Sequence, residues 1–138
     1  MKKKIFKTLL LVCISAFFLS IMSGFSFFEK KPWPVPDKDK NMANPVKADA
    51  TSIAEGKTLW AKHCQSCHGK SGMGDGSKAA QLKTEPGDFT SSATQTQSDG
   101  SLFYKTSQGR DDMPSFKKKI PDADDIWNVV NYIRTFKK

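Results

Sequence analysis

Cys64-Gln65-Ser66-Cys67-His68 is the segment that most limits what this chain of 138 residues can fold into. Two thiols three positions apart, with an imidazole directly after the second, have the spacing for covalent attachment of a c-type haem. On one helical turn, Cys64 and Cys67 reach two vinyl groups along one edge of the macrocycle. His68 then points under it as the proximal iron ligand. A fold built on this segment has to leave room for a flat apolar group.

Two other chemistries use such a pair of thiols. A thioredoxin-like dithiol site wants a βαβ pattern nearby, and no strand-period segment flanks residues 55–70. Zinc wants four ligands. The chain has three Cys and two His in all, and Cys13 lies far off in an apolar stretch. His63, Cys64, Cys67 and His68 fall within six residues, too close on one helix to converge tetrahedrally. Haem attachment is the reading that these counts favour.

The N-terminus places the motif. Lys2, Lys3, Lys4 and Lys7 precede an uncharged stretch from Thr8 to Phe28, the layout of a secretory signal or an N-terminal membrane anchor. A secretory apolar region runs about 7–15 residues and a bilayer span about 20. This run of 21 favours an uncleaved anchor over residues 1–28. Gly24 and Ser26 make a weak cleavage site at most, and Cys13 follows Leu-Leu-Val, so it reads as an apolar membrane residue rather than a lipidated one. In either case the rest of the chain is exported, with the lysines left on the cytoplasmic side. The domain is then periplasmic and membrane-anchored. Its exported part keeps only Cys64 and Cys67, so no structural disulfide competes for them.

Residues 29–51 carry Pro32, Pro34, Pro36 and Pro45 among Asp, Lys and Asn, and read as an extended linker that buries no core. Trp33 reads equally as an interfacial aromatic or as a side chain docked on the domain. From Ser52 to Lys138 there are 87 residues, one small domain of limited apolar content. Ser52-Ile53-Ala54-Glu55 has the form of a capping box. Ile53, Gly56, Leu59, Trp60, His63 and Cys67 then follow at helical spacing, which predicts a first helix over residues 53–66. Gly56 inside it points to a close helix crossing. A last helix is expected over 123–136, capped by Asp122, with an apolar stripe of Ile126, Val129, Val130, Ile133 and Phe136. A shorter helix is expected over about 99–107, stopped by Gly109. Residues 69–98 are rich in Gly, Ser, Thr and Lys and read as a loop wrapped round a group that supplies the missing core.

The formal charge of +8 overstates the exported part. Without the four lysines of residues 1–28 it holds 18 basic and 14 acidic side chains, a net +4. Nucleic-acid binding is therefore a poor inference, whereas a mildly positive surface suits docking to an acidic redox partner. Lys117-Lys118-Lys119 reads as a docking patch or as a solvated turn. Gly69 to Gly76 follows no strand and opens no clear helix, so it is no phosphate cradle. Trp127 reads as core packing rather than an electron relay.

Residues 52–138 resemble the class I cytochromes c, most of all the bacterial monohaem members that are exported or membrane-anchored. The matching residues are Cys64-Gln65-Ser66-Cys67-His68-Gly69, Gly72-Met73-Gly74-Asp75-Gly76, Met113-Pro114-Ser115-Phe116, and Asp125-Ile126-Trp127-Asn128-Val129-Val130-Asn131-Tyr132-Ile133. The resemblance implies an all-α fold, three to five helices wrapped round one haem c held by Cys64 and Cys67. It also implies a crossing of the first and last helices at Gly56 against Tyr132, with Trp60 and Val129 close by.

Three methionines of the exported part stand as sixth-ligand candidates. Met42 is in the linker, and Met73 is only five residues from His68, a short path round a haem edge. Met113 comes 45 residues after His68, is followed by the stiffening Pro114, and has Phe116 to pack on the ring. The resemblance implies the same residue; the alternative is Met113 as a buried core side chain. His63 is disfavoured as a distal ligand by its place beside Cys64. The other nitrogen of His68 is expected to meet a backbone carbonyl near Pro86. Ligation by His68 and Met113 fills the iron and leaves a one-electron centre. The chain thus reads as an electron carrier between respiratory-chain proteins rather than an enzyme. Its rivals are a fixed haem subunit of an oxidase or dehydrogenase complex, and a peroxidase-like protein should Met113 not bind.

Overall fold

Asp49 starts the first long helix: its carboxylate accepts the Ser52 N–H at 3.1 Å, serving one of the amides that a helix N-terminus leaves without a partner. The structure, a computed structural model, describes residues 32–138. The apolar stretch 1–28 and its reading as an anchor or signal lie outside the described residues. In chain order the described residues form α1 (Asp37–Lys40), α2 (Ala50–His63), α3 (Gln65–His68), a 3-10 turn (Ala79–Gln81), α4 (Ser92–Gln95), α5 (Asp99–Gln108) and α6 (Ala123–Arg134). They contain no strand, and their one bridge pairs Arg110 with Met113. The fold is the all-α one expected, with α5 and α6 close to where the sequence placed them and α2 shifted three residues toward the N-terminus.

The capping box is a correction. With Asp49 as the cap, α2 begins three residues earlier than expected, and Ser52 and Glu55 lie inside the helix. Both side chains turn to α6 instead. The Asn131 Nδ2 donates to Ser52 Oγ at 2.8 Å, and Asn128 Nδ2 donates to Glu55 Oε2 at 2.8 Å. A Ser-x-x-Glu pattern cannot by itself tell a cap from two polar residues aimed at a neighbouring helix.

Ser52, Gly56 and Trp60, four apart, form the buried stripe of α2. It crosses α6, whose Ile126 to Asn131 are buried without a break. A Cβ at Gly56 would stand 2.0 Å from the Asn128 carbonyl oxygen and 2.9 Å from Tyr132 Cβ. The glycine therefore meets Tyr132 as the resemblance implied, with the Asn128 backbone closer still. Gly56→Ala is expected to push the helices apart and to cost about 1–3 kcal/mol, the usual range for overpacking. Urea unfolding followed by circular dichroism measures it; a loss below about 0.5 kcal/mol, the scale of a neutral surface change, would show that the crossing is looser than this.

The linker is a second correction. From Pro34 onward the stretch expected as a tether belongs to the same compact unit as the helices. Met42 and Val46 pack on the core cluster that holds Trp60, Leu102, Val129, Val130 and Ile133. Asn44 Nδ2 donates to Asn131 Oδ1 at 2.8 Å, and Ser98 Oγ donates to the Lys40 carbonyl at 2.6 Å. Gly100 opens α5 against this strap, since a Cβ there would lie 2.1 Å from the Asp39 carbonyl oxygen. Average composition hid two apolar anchors and an asparagine whose partner is far away in sequence.

A smaller cluster of Phe116, Ile120 and Ile126 sits beside the first, with Phe103 packed against both. Phe103 stacks on Trp127 at 4.2 Å between ring centroids, so Trp127 is core packing as expected. Lys117, Lys118 and Lys119 are exposed, in the turn that precedes Ile120.

Candidate functional site

The chain bends at Cys64, which ends α2 and begins α3 at φ −114° and ψ −39°. The helix expected over residues 53–66 therefore ends at His63, and the motif forms a short helix of its own. Cys64, Cys67 and His68 come together on the α3 turn, held by His68 N–H to the Cys64 carbonyl at 3.0 Å and Gly69 N–H to the Gln65 carbonyl at 2.9 Å. Both thiols are free. Burial, with Cys67 close by, pushes the Cys64 thiol up to about 12. A dithiol redox site needs the opposite shift, toward the thiolate. Among the described residues, no group of three or more His, Cys, Asp or Glu side chains is placed to hold a metal ion.

The glycines after the motif are a backbone lock. Gly74 N–H donates to the His68 carbonyl at 2.9 Å, Gly76 N–H to the Cys67 carbonyl at 3.1 Å, and Lys78 N–H to the Ser66 carbonyl at 2.8 Å. A Cβ at Gly76 would stand 2.4 Å from the Ser66 oxygen. The loop therefore lies flat on the attachment turn and satisfies its carbonyls one after another.

The His68 ring is framed by Phe89, edge-on at 4.9 Å, and by Trp60 at 5.8 Å. Trp60 Nε1 donates to the Gly69 carbonyl at 3.0 Å, which pins the end of α3 to the core. Burial lowers the His68 pKa, and the Gly87 backbone beside the ring acts weakly the other way. The imidazole is neutral, the form that binds metal. Its buried Nδ1 lies beside the Gly87 backbone, one residue from the place expected for its carbonyl partner. Two free thiols, a neutral imidazole and an aromatic frame fit a covalently held haem.

Met113 is half-buried against the second cluster and closes a turn whose tip is Asp111-Asp112: Arg110 and Met113 exchange backbone hydrogen bonds of 2.8 and 2.9 Å. Gly109 enters the turn at φ 69° and Asp111 takes φ 51°, a conformation few non-glycine residues adopt. Phe116 N–H and Ser115 Oγ, at 3.2 and 2.8 Å, both donate to the Ser107 carbonyl, so the loop closes back on α5. His63 and Phe116 meet edge-on at 6.0 Å, which joins the Met113 loop to the end of α2. Burial and the nearby Lys62 and Lys119 lower the His63 pKa.

Three residues of this region were not expected to shape the site. Phe89 sits in a stretch without periodicity, and Gly109 looked like a simple helix stop. Asp112 is the third. Its Oδ2 accepts the N–H of Lys83 at 2.7 Å, the N–H of Thr84 at 3.1 Å and the Thr84 hydroxyl at 3.2 Å. The backbone N–H groups of Thr84 and Lys83 hold its carboxyl below the usual carboxylate range.

A family model described as cytochrome c oxidase, cbb3-type, subunit III matches residues 51–133, more than half of the chain. Among solved structures, a chain of the reducing HAO-like protein complex of Kuenenia stuttgartiensis is similar at 24% identity and a TM-score of 0.60, over 82% of this chain and 54% of that one. This chain spans about half the length of that one, and the likeness is one of fold. No curated protein matches the sequence.

Proposed function

Because the chain belongs to the family of the cbb3-type cytochrome c oxidase subunit III, a family of class I-like c-type cytochrome domains, we propose that Cys64 and Cys67 hold one haem c whose iron is ligated by His68 and Met113. In this reading the protein passes single electrons between respiratory-chain proteins on the periplasmic side, with residues 1–28 as its membrane anchor. The observation that carries it is the half-buried His68 on the same turn as two free thiols, its ring framed by Trp60 and Phe89. When bound, haem c supplies reversible one-electron exchange at its iron.

The chain's own residues do the rest. Trp60 and Phe89 hold the imidazole plane, and Trp60 Nε1 fixes the backbone just after it. The Gly74, Gly76 and Lys78 amides keep the attachment turn from fraying. Phe116 and Ile120 keep water from the Met113 side. A thioether ligand raises the reduction potential relative to a second nitrogen.

A second reading, a fixed haem subunit of an oxidase or dehydrogenase complex, is supported by the matched family, whose description is that of an oxidase subunit.

Met113→Ala tests the ligand set. The wild-type ferric protein is expected to show the weak far-red band of Met–iron ligation, and the variant to lose it and turn high-spin. Persistence of the band in the variant would overturn Met113 as the ligand. A wild-type protein that is high-spin from the start would favour the peroxidase-like alternative.

A further inference from the structure

We propose that Asp112 is a positioning residue, a latch that holds the Met113 loop closed by accepting three hydrogen bonds from Lys83 and Thr84. The inference rests on Met113 as the proposed iron ligand. One oxygen, Oδ2, receives the Lys83 N–H at 2.7 Å, the Thr84 N–H at 3.1 Å and the Thr84 Oγ1 at 3.2 Å. These bonds join positions 28 and 29 residues apart in sequence. Asp112 precedes Met113 directly, and Thr84 lies three residues before Gly87, whose backbone faces His68. The carboxylate therefore ties the segment beside one proposed axial ligand to the loop that carries the other.

The rest of the loop explains why such a tie matters. Its stem is fastened to α5 through the Ser107 carbonyl, and the Arg110–Met113 pair closes the turn upon itself. Neither set of bonds crosses to the His68 side. Asp112 does, and it does so at the surface. Hydrogen bonds to an ionised acceptor are about twice as strong as neutral ones, yet an exposed set opens without stranding a buried charge. The arrangement would keep the Met113 thioether at high effective concentration for a haem iron held by His68, while letting the loop open and reclose. Residues 83 and 84 donate mainly through backbone, so the latch depends on the loop path rather than on which side chains stand there.

The test uses the full chain with its haem, comparing wild type, Asp112→Ala, Asp112→Asn and Thr84→Val. Imidazole is the probe, because it competes for the iron whenever Met113 leaves. Losing the charged acceptor is expected to raise the apparent imidazole affinity of the ferric protein about ten- to a hundredfold in Asp112→Ala, and less in Asp112→Asn, which keeps an acceptor oxygen. Thr84→Val, which keeps both backbone donors, should fall between these and wild type. The amides of Lys83 and Thr84 should lose hydrogen-exchange protection in Asp112→Ala, with the urea midpoint little changed. Imidazole affinities within about twofold of wild type, or unchanged exchange at both amides, would overturn the latch. So would an affinity gain that merely tracks a lower urea midpoint, since a purely structural role predicts that. The exchange readout does not need Met113 on the iron, so a wild-type protein without the far-red band would refute the ligand assignment while unchanged exchange would still refute the latch.

Discussion

Replacement of Trp60 by alanine is expected to be the most damaging single change in the domain, costing about 3–5 kcal/mol. Trp60 is 2% exposed and is the hub of the aromatic packing. Its ring meets Phe136 at 5.0 Å, Phe89 at 5.4 Å, His68 at 5.8 Å and Tyr132 at 6.0 Å. It joins α2 to α6 and to the loop beside the imidazole in one side chain. Its Nε1 also serves the Gly69 carbonyl, so alanine strands a buried acceptor as well as opening a cavity. Small domains hold only about 5–15 kcal/mol in all, and this one loss is a large share. Trp60→Phe separates the two parts: it keeps an aromatic ring and should lose about 1–3 kcal/mol, the cost of the unpaired carbonyl. Urea unfolding of both variants checks the ranking. Equal losses would mean that ring packing contributes little and the hydrogen bond nearly everything.

Gly109 carries the second large effect, and here the loss is expected in ligation more than in folding. A Cβ at this position would stand 2.4 Å from the Pro114 carbonyl carbon and 2.5 Å from both the Met113 oxygen and the Ser115 nitrogen. All three are backbone atoms, so no side-chain rotation relieves them. The residue also holds φ 69°, where a side chain costs about 1–2 kcal/mol. Gly109→Val must therefore displace the segment that carries Met113. The three nearest atoms all belong to the loop, so the helices should keep their circular dichroism. The expected outcome is a ferric protein that has lost the far-red band, as Met113→Ala does, with α-helical content retained. A Gly109→Val protein with the band at full strength would show that the 109–116 turn does not set the position of Met113.

The contrast between these residues shows which parts of the molecule the sequence could reveal. The long helices were legible because burial repeats with the period of a helix: Gly56 and Trp60 in α2, and Ile126, Val130 and Ile133 in α6, lie on buried faces. The motif was legible because covalent chemistry fixes spacing locally. Partners chosen across long separations were not. Asp49, rather than Ser52, caps α2, because Ser52 bonds Asn131 across 79 residues. The stretch expected as a tether packs because Asn44 finds Asn131 across 87 residues, which composition does not register. Asp112 looked like one acid among several, and only the fold brings residues 83–84 to it. The glycines after the motif help bond the carbonyls of residues 66–68, a use that depends on a reverse path that no periodicity announces.

The central claim is that Cys64 and Cys67 hold one haem c with His68 beneath it. The most direct measurement is the intact mass of the protein purified from cells that attach haem to exported proteins, for wild type and for the Cys64→Ala, Cys67→Ala double variant, each after denaturation. Wild type is predicted to carry the mass of one haem that denaturation does not release, and the double variant to carry none. A wild-type chain whose denatured mass is that of the polypeptide alone, or a double variant that still retains haem covalently, would contradict the account.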